Sequence, residues 1–287
     1  MLEKVLLVGY GDIARRLQDQ LGDGYGCVGL RRLSVADAVI DMRAGDIGEP
    51  ETASRLLAEG FDVVVVTLTP DEISQEGYEK AYVRTASSLS RALTETEHRP
   101  RLVLWISSTS VYNQQDAEWV DETSSTNPSG FAGKALLQAE QLLAATEVDT
   151  VVVRCSGIYG PGRQRLIQQV RDGKGCAKQP VLFTNRIHAD DVAGVLVHLV
   201  ERHKQGETLQ DCYLASDCEP VPLWDVKQWL AQQMGLPEDH LAGDYPAGRR
   251  GSKRCSNKRL LDSGYQFKYP TFREGYVDVL SRCDNKK

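Results

Sequence analysis

Lys4-Val5-Leu6-Leu7-Val8-Gly9-Tyr10-Gly11-Asp12-Ile13-Ala14 is the stretch on which the fold turns. A short apolar run ends at Gly9, and an amphipathic stretch from Asp12 to Leu21 follows. Between them the sequence fits G-x-G-x-x-G/A. The first glycine permits a tight turn, Gly11 lets backbone approach a pyrophosphate, and the small Ala14 lets helix and strand pack closely. A helix starting at Asp12 and Ile13 offers free N–H groups and a positive dipole end to phosphates. The plain alternative is a tight turn without a ligand. A flavin or S-adenosylmethionine site is the other competitor, and the sequence further on argues against both.

Moving outward, the first half of the chain repeats one unit of apolar run, loop and amphipathic stretch, which implies a parallel sheet covered by helices on both faces. The strands expected are Lys4 to Val8, Gly26 to Leu30, Val39 to Arg43, Asp62 to Thr67, Arg101 to Ser107 and Thr150 to Arg154. Helices are expected over Asp12 to Leu21, Glu51 to Glu59, Tyr78 to Leu93 and Lys134 to Thr146, the last after a Pro128-Ser129-Gly130 breaker. Beyond Arg154 the rhythm fails, with helices at Arg163 to Arg171, Asp190 to Glu201 and Val221 to Leu230 among several prolines. The fold class expected is an α/β Rossmann doubly wound parallel sheet with a smaller C-terminal α+β substrate-binding domain. Residues 1–158 plus 187–205 form the first domain, and 159–186 plus 206–287 the second.

Composition narrows the partners. A formal net charge of −6 argues against coating nucleic acid or an anionic membrane, since both reward a basic surface. No segment approaches the length of about 20 apolar residues that a membrane span requires. The seven cysteines are scattered without a C-x-x-C pair or a histidine cluster, so no metal site is expected and the thiols read as reduced in the cytoplasm.

About 20 residues past the glycines, an NAD-preferring site holds an Asp or Glu for the ribose 2′-OH. This chain has Arg31-Arg32 there. Two guanidiniums pair with a 2′-phosphate where a carboxylate would repel it, which favours NADP(H) over NAD(H). The alternative is a pair of solvated arginines. Asp46, near the end of the third strand, is a candidate for the adenine amino group.

Ser107-Ser108-Thr109-Ser110-Val111-Tyr112 stands where open α/β sheets bind ligands. Further on come Arg154 to Gly162 (RCSGIYGPG), Ile187 to Ala193 (IHADDVA), and Ser256 to Leu261 followed by Gly264 and Tyr269-Pro270. In this order the motifs resemble the extended short-chain dehydrogenase/reductase family, of the NAD(P)-dependent epimerase/dehydratase type, along nearly the whole chain. The resemblance implies that Ser108 polarises the substrate carbonyl or hydroxyl, that the RCSGIYGPG segment lines the nicotinamide end, and that Lys134 holds the ribose.

The resemblance also exposes a departure. The family expects Y-x-x-x-K, with tyrosine as acid or base and lysine lowering its pKa. The aligned lysine is Lys134, which puts Gly130 at the tyrosine position, beside Phe131. Tyr112, Tyr159 and His188 are the candidates for the missing role, each with a plain alternative as a packing or capping residue. Arg163 and Arg186 are candidates for phosphate or carboxylate groups of a substrate, and Arg165 reads equally as a surface residue. Two function classes follow. One is an NADP(H)-dependent oxidoreductase or epimerase acting on a polar substrate of the nucleotide-sugar kind, with a non-standard acid/base. The other is a non-catalytic NADP(H)-binding sensor or regulatory protein. Helices Tyr78 to Leu93 and Lys134 to Thr146 match those that pair subunits in the family, so a homodimer is a candidate assembly.

Overall fold

The structure, a computed structural model, describes residues 2–33, 39–243 and 251–284, the side chains of 283 and 284 excepted. Pro246, one of the prolines of the second half, lies outside the described residues.

Seven strands form one sheet. They are β1 (Glu3–Val8), β2 (Tyr25–Arg31), β3 (Asp41–Ala44), β4 (Val63–Val66), β5 (Leu102–Ser108), β7 (Thr150–Cys155) and β11 (Cys212–Ala215), with β6 (Asp116–Val120) lying outside it. Their order is β11-β7-β5-β4-β1-β2-β3, so the order reverses beside β1, as in a doubly wound fold. The pairings of β1 with β2 and β4, β2 with β3, and β4 with β5 are parallel. Val63 to Val66 and Leu102 to Trp105 are all buried, which is why the central strands read as continuous apolar runs.

Helices alternate with these strands: α1 (Asp12–Leu21), α2 (Pro50–Leu57), α3 (Gln75–Tyr78), α4 (Thr85–Glu95), α5 (Phe131–Ala144), α6 (Arg165–Arg171) and α7 (Ala189–Lys204). Between α3 and α4 the residues Glu79–Arg84 form a π turn, so α3 and α4 are two ends of one interrupted helix. The helix expected from Tyr78 therefore begins at Gln75, where the Ser74 hydroxyl accepts the Gly77 amide at 3.0 Å. Likewise α5 begins at Phe131 rather than Lys134, with Gly130 as its N-cap, and the third strand is Asp41–Ala44, in register with Val28–Arg31.

The chain divides into two compact units. The first comprises Met1–Tyr112, Ser125–Arg154 and Ala193–Tyr213; the second comprises Asn113–Ser124, Cys155–Val192 and Leu214–Lys287. The segment Asn113–Ser124 joins the second unit because its strand β6 pairs in parallel with β13 (Ser252–Cys255). The second unit also holds the parallel pair β8 (Gly157–Tyr159) with β10 (Arg186–His188), and the antiparallel pair β9 (Phe183–Thr184) with β12 (Val221–Pro222). Its helices are α6, α8 (Leu223–Gln233), α9 (Lys258–Asp262) and α10 (Phe272–Asp284). The expected helix from Val221 thus starts two residues later, because Val221 and Pro222 pair with β9. The core of this unit is built on Tyr159, Ile167, Val226, Leu230, Phe272 and Tyr276, with Trp224 and Trp229 packed against it.

Candidate functional site

The turn after β1 is built as its glycines require. Gly9 has φ +81°, and a Cβ there would press on the Thr67 carbonyl and the Leu68 side chain at 3.1 Å. The amides of Gly9 and Tyr10 both donate to the Leu30 carbonyl, at 3.1 and 3.0 Å, and Thr67 Oγ1 donates to the Gly9 carbonyl at 2.9 Å. The turn is thereby fastened to the ends of β2 and β4. Gly11 is the N-cap of α1, in extended conformation, and a Cβ there would meet nothing nearer than the Gly9 carbonyl at 3.7 Å. Gly11 lines a cavity of about 420 Å³, together with Gly9 and Tyr10 from the turn, Arg31 at the end of β2, Arg32 just past it, and Asp46 after β3. The loop after β4 closes it with Leu68, Thr69 and Asp71. Space left beside a helix N-terminus by a missing side chain, in a cavity of ordinary ligand size, fits the pyrophosphate and adenosine portion of a dinucleotide.

The other cofactor-binding candidates occupy distinct places. Ala14 and Ile13 are buried against the sheet, whereas Asp12 is exposed and pairs with Arg16 at 2.9 Å. Asp46 accepts the Gly48 amide at 2.9 Å and Arg84 Nη2 at 2.7 Å. Arg31 and Arg32 are both exposed at the cavity wall. Arg32 is held by Asp71 through both terminal nitrogens, and Arg31 makes no ion pair among the described residues.

At the end of β5 the first unit contains a buried polar network. Ser107 donates to Glu140 of α5, and Arg154 of β7 grips the same carboxylate, with Nη2 at 2.7 Å from Oε2. Arg154 Nη1 donates to the Tyr112 hydroxyl at 3.0 Å, and its guanidinium lies over the Tyr112 ring at 5.2 Å. Burial works against the Arg154 charge, and the Glu140 carboxylate outweighs it, so the arginine pKa is raised. Tyr112 is therefore an interior residue whose oxygen accepts a charged donor. Ser108 is half-buried, and its Oγ accepts the Ser110 amide at 3.2 Å, capping the turn Thr109–Val111.

Helix α5 comes close to that turn because of Gly133, where a Cβ would collide with the Ser110 carbonyl and with Pro128. Lys134 is exposed one residue further on, and Gly130, in the tyrosine position, has φ −85° and ψ 153° with nothing within 4 Å of a built Cβ. Phe131 beside it meets the Tyr78 ring edge-on at 5.5 Å.

The remaining candidates lie in the second unit. Tyr159 is buried, its ring against Tyr276 at 4.5 Å and His188 at 5.3 Å, and its hydroxyl is tucked where Gly275 lacks a Cβ. Burial pushes its pKa up, which opposes loss of a proton near neutrality. His188 is fully buried, with Nδ1 accepting the Asp190 amide at 3.1 Å. Arg186 is buried, donates to Thr184 Oγ1 at 2.5 Å and lies over the Phe272 ring at 5.4 Å. Arg163 and Arg165 are exposed. The second aspartate of the IHADDVA motif, Asp191, is a clamp: it accepts the Tyr265 hydroxyl at 2.9 Å and the amides of Lys268 and Tyr269 at 2.7 and 3.0 Å.

Sequence reasoning passed over Glu140, Ser107 and Asp71. For Glu140 a signal existed, a carboxylate amid the apolar positions Leu136, Ala139 and Leu143 of α5. Among the described residues no group of three or more His, Cys, Asp or Glu side chains forms a metal site, and no helix is long and apolar enough to cross a membrane.

Three solved structures place this architecture. A protein from Methylobacillus flagellatus, provisionally designated an NAD-dependent epimerase/dehydratase, is 32% identical with a TM-score of 0.82, over 99% of this chain and 100% of that one. UDP-N-acetylglucosamine 4-epimerase from Bacillus cereus shares the fold at 16% identity and a TM-score of 0.76, over 96% and 98% of the two chains. The dTDP-glucose 4,6-dehydratase of Bacillus anthracis, solved in complex with NAD, does so at 14% and 0.79, over 99% and 97%. No match is found among curated protein sequences. The model of the RmlD substrate binding domain matches residues 4–283. With that match and the Methylobacillus likeness, the chain belongs to the RmlD substrate binding domain family, as an atypical extended short-chain dehydrogenase/reductase with glycine where the family pattern has tyrosine.

Proposed function

We propose that the protein binds NADP(H) at the β1–α1 turn and acts as an oxidoreductase or epimerase on a polar substrate of the nucleotide-sugar class. The observation that carries this reading is the cavity beside Gly9 and Gly11 with Arg31 and Arg32 in its wall. Nucleotide-sugar enzymes among the fold neighbours support the substrate class. Gly9 and Gly11 leave room for the pyrophosphate, Arg31 and Arg32 pair with the 2′-phosphate, and Asp46 stands at the adenosine end. A bound nicotinamide supplies the hydride donor or acceptor. Ser108 polarises the reacting oxygen, while Lys134, free of ion pairs among the described residues, holds the ribose by donating from Nζ.

Tyr112, Tyr159 and His188 are all buried, and this favours proton exchange through Ser108 and water over direct transfer from any of the three. The same observation, with Gly130, supports a second reading: an NADP(H)-binding sensor that turns nothing over. Incubation of 4-deuterated NADPH with nucleotide sugars and carbonyl compounds separates the two. Transfer of label to any compound refutes the sensor; the epimerase is tested by NADP+ with nucleotide sugars carrying deuterium on the ring carbons, and retention of label in both assays refutes the enzyme. Titration of both cofactors tests the first step. Replacing Arg31 and Arg32 with alanine should remove about 2 kcal/mol of preference for NADPH.

A further inference from the structure

The adenosine end of the cavity is not uniformly positive. Asp71, on the loop after β4, reaches the end of β2 and occupies the guanidinium fork of Arg32 through both carboxylate oxygens. Both side chains line the cavity and both are half-exposed, at 53% for Arg32 and 54% for Asp71, so either group is able to exchange this partner for a ligand. Lys80 of the π turn adds a positive field at Asp71 and lines the same cavity. The bond to Arg32 holds the Asp71 carboxyl below its ordinary range, so it is anionic at neutral pH.

Two consequences follow from chemistry alone. A guanidinium fork engaged bidentately by one carboxylate does not at the same time engage a phosphate bidentately. A carboxylate at this end of a dinucleotide site is also the acceptor that a ribose 2′-OH uses, and β2 supplies none. On the reading that this cavity holds the dinucleotide, we infer that Asp71 is a cofactor selector: it competes with the 2′-phosphate of NADP(H) for Arg32, and it accepts the 2′-OH of NAD(H). The Arg32–Asp71 pair must open for one cofactor and hands over its carboxylate to the other. The site is thereby suited to both cofactors, with their ratio set by a residue outside the glycine motif and outside β2.

The test is the substitution Asp71→Asn, which keeps size and polarity and removes the charge from an exposed position. Binding of NADPH and NADH is measured by fluorescence titration at fixed ionic strength, in the parent, Asp71→Asn, Arg32→Ala and the double variant. Removing one negative charge a few ångströms from a doubly charged phosphate should tighten NADPH roughly tenfold, and NADH should weaken by a few-fold as its acceptor is lost. In the Arg32→Ala background the gain for NADPH should shrink to about threefold or less, because the contested fork is gone. An unchanged NADPH-to-NADH ratio in Asp71→Asn, while loss of Arg31 and Arg32 still abolishes the preference, overturns the selector and leaves the cofactor reading standing. Affinities insensitive to Arg31, Arg32 and Asp71 alike overturn both.

Discussion

Replacing Glu140 with alanine tests whether the network under the end of β5 holds the first unit together. The Arg154 side chain is 10% exposed and that of Glu140 6%, so the variant leaves a guanidinium in the interior with the Tyr112 hydroxyl as its remaining acceptor in the network. Breaking a buried ion pair from one side costs about 3 to 5 kcal/mol, and Ser107 loses its acceptor as well. Against a total stability of about 5 to 15 kcal/mol for a domain, this is a third or more. Because the chain forms two units, one global transition is not assumed. Urea unfolding should therefore be followed by hydrogen exchange at the amides of β5 and β7, where the loss is expected to concentrate. The control is Glu140→Leu with Arg154→Met, which removes both charges and keeps the volume filled. Its cost should fall well below that of Glu140→Ala, since no charge is left unpaired. A Glu140→Ala variant within about 1 kcal/mol of the parent, or a double variant as unstable as Glu140→Ala, would refute the reasoning.

Burial raises the Asp217 carboxyl from 3.8 to about 7 against the pull of Arg186. The unfolded chain therefore ionises first, and stability drains as pH rises between these values, by about 1.4 kcal/mol per pH unit and about 4 kcal/mol in all. The difference in stability between Asp217→Asn and the parent should grow in the variant's favour from pH 4 to 7; a flat difference counts against it. Gly130→Tyr should fold, with a cost below about 1 kcal/mol in thermal unfolding, because its backbone is extended and its Cβ position open. Gly133→Ala should cost about 2 to 3 kcal/mol through collision with the Ser110 carbonyl, and equal melting of the two variants would contradict this contrast. On the proposed cofactor reading, Gly11→Val should leave stability within about 0.5 kcal/mol, since its Cβ meets no protein atom nearer than 3.7 Å, and weaken NADPH at least 100-fold, since Gly11 lines the cavity; normal titration would place the phosphates elsewhere.

What the sequence discloses is whatever is written locally. Helix α1 runs from Asp12 to Leu21 as its periodicity indicates, and β1, β4 and β5 announce themselves because both their faces are buried. Strand β6 is different: Asp116–Val120 is mostly exposed, and its partner is Ser252–Cys255, far along the chain, so no local pattern marks it. Helix α10 does carry a local mark, since Phe272, Tyr276 and Val279 recur at helical spacing and all three are buried. For the candidate site, the glycine turn and the place of Arg31 and Arg32 at the end of β2, on the cavity wall, are legible from spacing. The Glu140–Arg154 pair and the Arg32–Asp71 pair join residues from separate elements, and only the sheet order brings them together. The burial of Tyr159 likewise depends on a core assembled from distant segments, and His188 packs on Tyr159 and Tyr269 beside it.

The π turn at Glu79–Arg84 sets an angular phase. Just before it Tyr78 meets Phe131, beside Gly130; at its last residue Arg84 reaches Asp46, and Tyr82 within it donates to the Leu68 carbonyl at 3.3 Å. Each residue of a regular helix advances by roughly 100°, so the extra residue of a π turn offsets one end of the helix from the other by about that angle. Excision of a single residue from this turn would restore a regular helix and misalign one of the two ends. The segment thus works as a phase coupler, tying the angular setting of the end at Tyr78 and Phe131 to that of the end at Arg84 and Asp46.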